Sequence, residues 1–169
     1  NYELSYKQHL AQGRLQLGAN VFYLKADELI TTAMINGRPL NVNTGTAENS
    51  GLELEANYRS APHLQLHFNY SYLHTSQPLL AVPRHKLYAG GRYEAGKLGL
   101  NAGIQWIGRL YTSVGNNKQT QSFALVNLTA DYHLARNLRL FAKGENLLAQ
   151  RYEVMQSFPM PRATFMGGI

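Results

Sequence analysis

Glu53 and Glu55 stand two residues apart in the run GLELEANY, and Lys143 and Glu145 repeat that spacing in AKGENLL. In an extended chain, residues two apart share a face. Each pair therefore sets two titratable groups side by side, as a general acid and base would be. Six histidines, His9, His63, His67, His74, His85 and His133, raise metal ligation as a second chemistry. His63 and His67 are four apart, a spacing that makes a metal-binding face on a helix, but here they fall in a turn and a strand. No G-x-S-x-G, Walker-type loop or G-x-G-x-x-G occurs. The expectation is no catalytic residue, no metal site, no cofactor and no enzyme. Glu53, Glu55, His67, Asp131, His133, Lys143 and Glu145 read instead as the charged lining of a polar wall.

The elements that carry these residues alternate with a period of two. LQLHFNYSY sets Leu64, Leu66, Phe68, Tyr70 and Tyr72 against Gln65, His67, Asn69 and Ser71. LGLNAGIQW and VNLTADYHL repeat the pattern, and RLQLGANVFYL does so with one exception, Phe22. Such alternation is a strand signature, and helical spacing fits none of these windows. Nine strands are expected, at about 1–10, 14–30, 46–59, 64–76, 85–94, 98–111, 123–134, 138–149 and 162–169. The links alternate in length. AQGR, SAPH, EAGK and ARN are short, whereas TTAMINGRPLNVNT, SQPLLAVPR, TSVGNNKQTQS and AQRYEVMQSFPMP are long. An up-and-down meander with one trimmed and one elaborated rim has this rhythm, as outer-membrane barrels do.

Composition agrees with that class. Charged residues make up 15% of the 169, against roughly 25% in soluble globular proteins. No apolar run is long enough for a transmembrane helix, which leaves a strand-built membrane protein open. The net charge of +6 is spread over single residues such as Lys7, Arg14, Lys25, Arg38 and Arg59. Nucleic acid is therefore not an expected partner; anionic lipid or lipopolysaccharide is.

The strand charges all fall on the polar parity, which suits either a lipid-facing apolar side or a soluble calyx. The aromatic residues favour lipid. Tyr23, Tyr70, Tyr72 and Trp106 fall near one end of their strands, and Tyr58, Tyr93 and Tyr132 near the other, all on the apolar parity. Tyr and Trp collect at membrane interfaces because the ring is apolar and its tip seeks water. The expected fold is thus all-β, an antiparallel up-and-down transmembrane barrel. Nine strands would leave open edges in lipid, so further strands are expected before Asn1, and the ninth is expected to run past Ile169. A soluble β-barrel binding module remains the alternative fold, and a passive porin-like channel the alternative activity.

Four stretches resemble TonB-dependent outer-membrane receptors. LRLFAKGENLLAQRYE followed by PMPRATFMGGI is similar to the family's closing segment, with Asn146, Leu147, Tyr152, Pro161 and Arg162 at its marked positions. NTGTAENSGLELEANY, VPRHKLYAGGRY and FALVNLTADYHL are the others, in the family's order. The family ends on an aromatic residue, whereas this sequence ends at Ile169. The resemblance implies that residues 1–169 are the last nine strands of a barrel of about 22 around a plug. The plug and its energy-coupling box would lie outside this sequence. It also implies integral residence in the outer membrane and active import of a scarce, large solute, energised by a TonB-type partner acting through the plug. The PMPR ending is closest to the cobalamin branch, with ferric siderophore and haem receptors next. Solute contacts are expected from two long loops: Tyr111, Asn116, Asn117 and Lys118 in one, Arg151, Tyr152 and Phe158 in the other.

Overall fold

The computed structural model describes residues 1–27, 30–36, 38–43 and 45–169. Nine strands form one antiparallel sheet: β1 (Tyr2–Leu10), β2 (Leu15–Ala26), β5 (Ala47–Ala61), β6 (Leu64–Thr75), β7 (Pro83–Ala95), β8 (Leu98–Ser113), β9 (Gln119–Ala135), β10 (Leu138–Glu145) and β13 (Thr164–Gly168). Each pairs only with its neighbours in the sheet order, as a meander requires. Two small hairpins decorate the long links, β3 (Ile30–Ile35) with β4 (Arg38–Asn43) and β11 (Glu153–Met155) with β12 (Phe158–Pro159). β1 and β13 are the two edges of the main sheet.

The sequence periodicity misjudges several strand ends. The strand expected over 14–30 stops at Ala26, where Asp27 Oδ1 accepts a 2.8 Å bond from Thr46 Oγ1 and ties the end of β2 to the start of β5. Residues 28 and 29 lie outside the described ones. The loop expected over Thr112–Ser122 is mostly strand, because β8 and β9 continue pairing out to Ser113 and Gln119. Both faces of that extension are polar, so alternation does not reveal it. The strand expected over 138–149 ends at Glu145, and Asn146 takes φ +49. Asparagine tolerates this left-handed conformation better than most residues.

The pairing register gathers the apolar positions on one face. One row across the sheet runs Tyr6, Ala19, Leu54, Tyr70, Leu87, Trp106 and Ala124. The next rows toward the short turns carry Phe68, Ala89 and Ile104, then Leu66, Gly91, Ala102 and Leu128. Nothing among the described residues covers this face: Leu66 is 41% exposed, Ile104 40% and Leu128 41%. A soluble barrel or sandwich would bury these side chains together, each worth about 1.5–3 kcal/mol when buried. Tyr2 stacks on Tyr23 at one end of the face, with ring centroids 6.5 Å apart, and Tyr70, Tyr72, His85 and Trp106 form a ring cluster at the same end. Tyr58, Tyr93 and Tyr132 mark the other end, in register with Leu15, Leu100 and Leu98. His85 belongs to the Tyr70–Tyr72–Trp106 end, its Nδ1 2.9 Å from the Tyr70 hydroxyl.

Among the described residues, the buried hydrophobic side chains are Ile107, Leu110 and Phe123. They lie at the long-loop end, and Ile107 faces Phe123 on the polar parity. Phe22, the exception to the alternation, lies over Gly51, where a Cβ would collide with its ring. The glycine makes room for an aromatic ring on the face that carries the charged residues.

Candidate functional site

Two long links converge on the outer stems of β8 and β9, which carry a third. The N–H of Ala81, from the β6–β7 link, donates to the Tyr111 carbonyl at 2.9 Å, and Leu80 bridges to Tyr111. The last link, 146–163, reaches the same stems. The N–H of Gln156 donates to the Thr112 carbonyl at 2.9 Å, and the N–H of Glu153 to Gln121 Oε1 at 2.7 Å. The Tyr152 ring packs on Phe123 with centroids 4.3 Å apart. Val154 and Leu125 complete this contact with the buried Ile107–Leu110–Phe123 cluster. The last link is therefore held against the polar-parity side of the wall by an aromatic pair, worth about 0.5–1.5 kcal/mol beyond its buried area.

Asn146 sets the path of that link. It is 4% exposed, and its side chain satisfies three backbone groups. Nδ2 donates to the carbonyls of Gln150 (2.9 Å) and Pro161 (3.2 Å), while Oδ1 accepts from the N–H of Gln150 at 2.9 Å. Its own N–H donates to Asn127 Oδ1 on β9 at 2.9 Å. Arg162 Nε donates to the Ala149 carbonyl, closing the base of the loop.

Against this frame the expected loop residues sort by position. Tyr111 is half-buried on the β8 stem, bound through its backbone. Asn116 and Asn117 end a single 3-10 turn, Gly115–Asn117, and with Lys118 are exposed at the hairpin tip. Arg151 is exposed, Tyr152 is half-buried on Phe123, and Phe158 is 69% exposed on the β11–β12 hairpin. The two candidate loops thus meet at their stems through Thr112 and Gln121. Sequence reasoning missed Thr112, Gln121 and Phe123. Ile107, Phe123 and Leu125 are apolar residues on the polar parity beside a loop, and that was the available signal.

The expected wall residues share one face of the sheet. Register aligns Ser5, Asn20, Glu53, Ser71 and Lys86 in one row and Lys7, Gly18, Glu55, Asn69 and Tyr88 in the next. His9, Gln16, Asn57 and His67 follow, then Arg59, Gln65, Arg92, Asn101, Thr129 and Lys143. Neighbouring groups pair locally. Glu53 Oε2 accepts from Asn20 Nδ2 at 3.3 Å, and Asp131 lies 3.3 Å from Arg139 and 3.8 Å from His133. Lys143 and Glu145 are 2.6 Å apart, and Arg92 pairs with Glu94. Glu55 accepts from Asn57 Nδ2, so Asn57 Oδ1 is the acceptor facing His67 Nδ1 at 2.6 Å. The Glu53–Glu55 and Lys143–Glu145 pairs do not meet, since four strands separate β5 from β10. No group of three or more metal-ligating side chains gathers among the described residues.

Comparison with known proteins agrees with this geometry. The family described as TonB dependent receptor-like, beta-barrel, matches residues 1–147. Comparison with curated proteins by sequence gives no match. Among solved structures, the chain is similar to the closed form of the ferric-catecholate import receptor Fiu of Escherichia coli (TM-score 0.75, 19% identity, 98% of this chain and 26% of that one). It is also similar to the copper transporter OprC (TM-score 0.79, 17% identity, 96% and 29%). A mutant ferric enterobactin receptor of Pseudomonas aeruginosa bound to enterobactin gives TM-score 0.77 at 20% identity, over 96% and 30%. The chain spans 26–30% of the length of these three structures. With an antiparallel nine-stranded meander in register and a family match over residues 1–147, this chain belongs to the TonB-dependent receptor β-barrel family.

Proposed function

We propose that residues 1–169 form wall and outer mouth of an outer-membrane receptor that imports a scarce, large solute by active transport. One observation carries this reading. A single sheet presents an uncovered apolar face between two aromatic bands, a charged polar face behind it, and three loops drawn together at one end. The apolar face suits acyl chains, with lipopolysaccharide and phospholipid as its neighbours. The polar face, with Glu53, Glu55, His67, Asp131, His133, Lys143 and Glu145, suits an enclosed lumen against a plug. The edges β1 and β13 would continue into the rest of a closed barrel, because open edges in lipid leave backbone groups unpaired.

The loop cluster supplies the solute mouth, with Tyr111, Asn116, Asn117, Lys118, Arg151, Tyr152 and Phe158 as contact candidates. Tyr152 contributes by holding the last loop, and the exposed Asn116, Asn117, Lys118, Arg151 and Phe158 by direct contact. An iron chelate is the favoured solute, because the structural neighbours include receptors named for ferric catecholate and ferric enterobactin. Cobalamin and haem are the alternatives. Energy comes from a TonB-type partner through the plug.

Growth of a deletion strain on limiting ferric siderophore, haem or cobalamin, with and without a functional TonB protein, tests each part. The deletion strain is expected to lose growth on ferric chelate alone, and the TonB-less strain to lose it there as well, along with any other TonB-energised uptake. A defect confined to cobalamin would move the solute assignment. Uptake that persists without TonB would replace the active reading with a passive channel.

A further inference from the structure

Two arginines meet at the short-turn end of the polar face without an acidic partner. The N–H of Arg59 donates to the Arg14 carbonyl at 2.8 Å, which sets the β1–β2 turn beside the end of β5. Between them lies an open hollow of about 220 Å³, lined by Arg14, Gln16, Asn57, Arg59, Gln65 and His67 among others. Arg14 Nε donates to the Ala11 carbonyl at 3.3 Å, so its terminal nitrogens remain available. Neither arginine makes an ion pair among the described residues. Other cations of the same face behave differently, with Arg92 paired to Glu94 on β7 and Lys143 to Glu145 on β10.

The lining contains no carboxylate. Two hollows higher on the same wall each include one or more, Glu55 in the first and Glu53 with Glu55 in the second. Glu55 is itself engaged by Asn57 Nδ2. Like charges set side by side on neighbouring strands repel, and both arginines line this one hollow, so an oxyanion there would relieve the repulsion and accept charge-assisted hydrogen bonds from their forks. The side-chain amides of Gln16 and Gln65 add neutral donors.

We propose that this hollow is an anion site for a phosphate group. The group could come from free phosphate or from a lipid headgroup at that rim, and the chemistry of recognition is the same. The site stands on the strand register and the charge inventory, independently of the transport reading.

The test is phosphate binding by the intact protein in maltoside micelles, followed by phosphorus NMR line broadening. Saturable binding is expected, weakened about tenfold or more by Arg14→Gln or Arg59→Gln. Arg59→Lys, which keeps the charge but loses the fork, should fall between. Arg136→Gln, in the β9–β10 turn, should leave binding unchanged. A second arm uses nanodiscs of phosphatidylcholine with and without phosphatidic acid. Loss of free-phosphate binding only with phosphatidic acid assigns the site to a headgroup, and unchanged binding assigns it to free phosphate. Absence of saturable binding, or an equal loss in Arg136→Gln, would overturn the site. Heat-modifiable gel migration confirms that each variant is folded.

Discussion

Asn146 Nδ2 donates to the carbonyl of Pro161 across fifteen residues, from a side chain that is 4% exposed. One amide thus clamps both ends of the loop between β10 and β13. Because its partners are backbone groups with few alternatives, removing it leaves several of them unsatisfied. Asn146→Ala should destabilise the loop region by about 1–3 kcal/mol. Asn146→Asp keeps the acceptor for the Gln150 N–H but sets a buried carboxylate oxygen against the Gln150 and Pro161 carbonyls, and should cost at least as much as Asn146→Ala. Limited proteolysis of 147–163, followed by mass spectrometry, reads the effect locally. Cleavage no faster than in the parent protein would show that the clamp is unimportant.

Tyr152 holds the same loop by packing rather than by hydrogen bonds. Tyr152→Ala should raise protease access to the loop and weaken solute capture together, because the ring contact with Phe123 is lost. Phe158→Ala removes a side chain that is 69% exposed, so loop protection should stay as it is. Any effect of Phe158→Ala on capture would then mark a direct contact. Parallel proteolysis and equilibrium binding on both variants separate anchor from contact.

The apolar face gives the sharpest test of the membrane assignment. Ile104→Arg should cost about 2–4 kcal/mol in lipid, since a charge near the bilayer middle is poorly solvated. Gln105→Arg, one residue on and on the opposite face, should change stability by about 0.5 kcal/mol or less. Denaturant titration of protein reconstituted in vesicles compares them. Equal costs at the two positions would contradict the assignment of faces.

Tyr88 lies on the polar face against Gly90 and Gly103, and a Cβ on either glycine would meet its ring or hydroxyl. Gly103→Val should force the ring out and cost about 1–3 kcal/mol, as overpacking does. Tyr88→Ala combined with Gly103→Val should recover part of that loss. Unfolding midpoints of the single and double variants form the cycle. Strict additivity would mean that the ring and the glycine do not touch in solution.

Strand existence, parity and face were legible in the residues because the β-pleat is local: each side chain's face depends only on its place in an alternating run. Leu64 to Tyr72 carries that information unaided, and so does Leu98 to Trp106. The two aromatic levels followed from parity and strand direction, and the register then placed Tyr2 and His85 in the upper one. Strand ends were less legible. β8 and β9 extend past the apolar rows, where both faces carry polar residues and the period of two vanishes.

The loop cluster was decided by tertiary contact alone. Thr112, Gln121, Phe123 and Tyr152 meet because a seventeen-residue strand, its bulged partner and a loop clamped by Asn146 bring them together across large sequence separations. Glu53 and Glu55 likewise stand apart from Lys143 and Glu145 only because strand order puts four strands between them. Local periodicity encodes which way a side chain points. Which side chains become neighbours depends on register and loop packing, and those are set by contacts between distant parts of the chain.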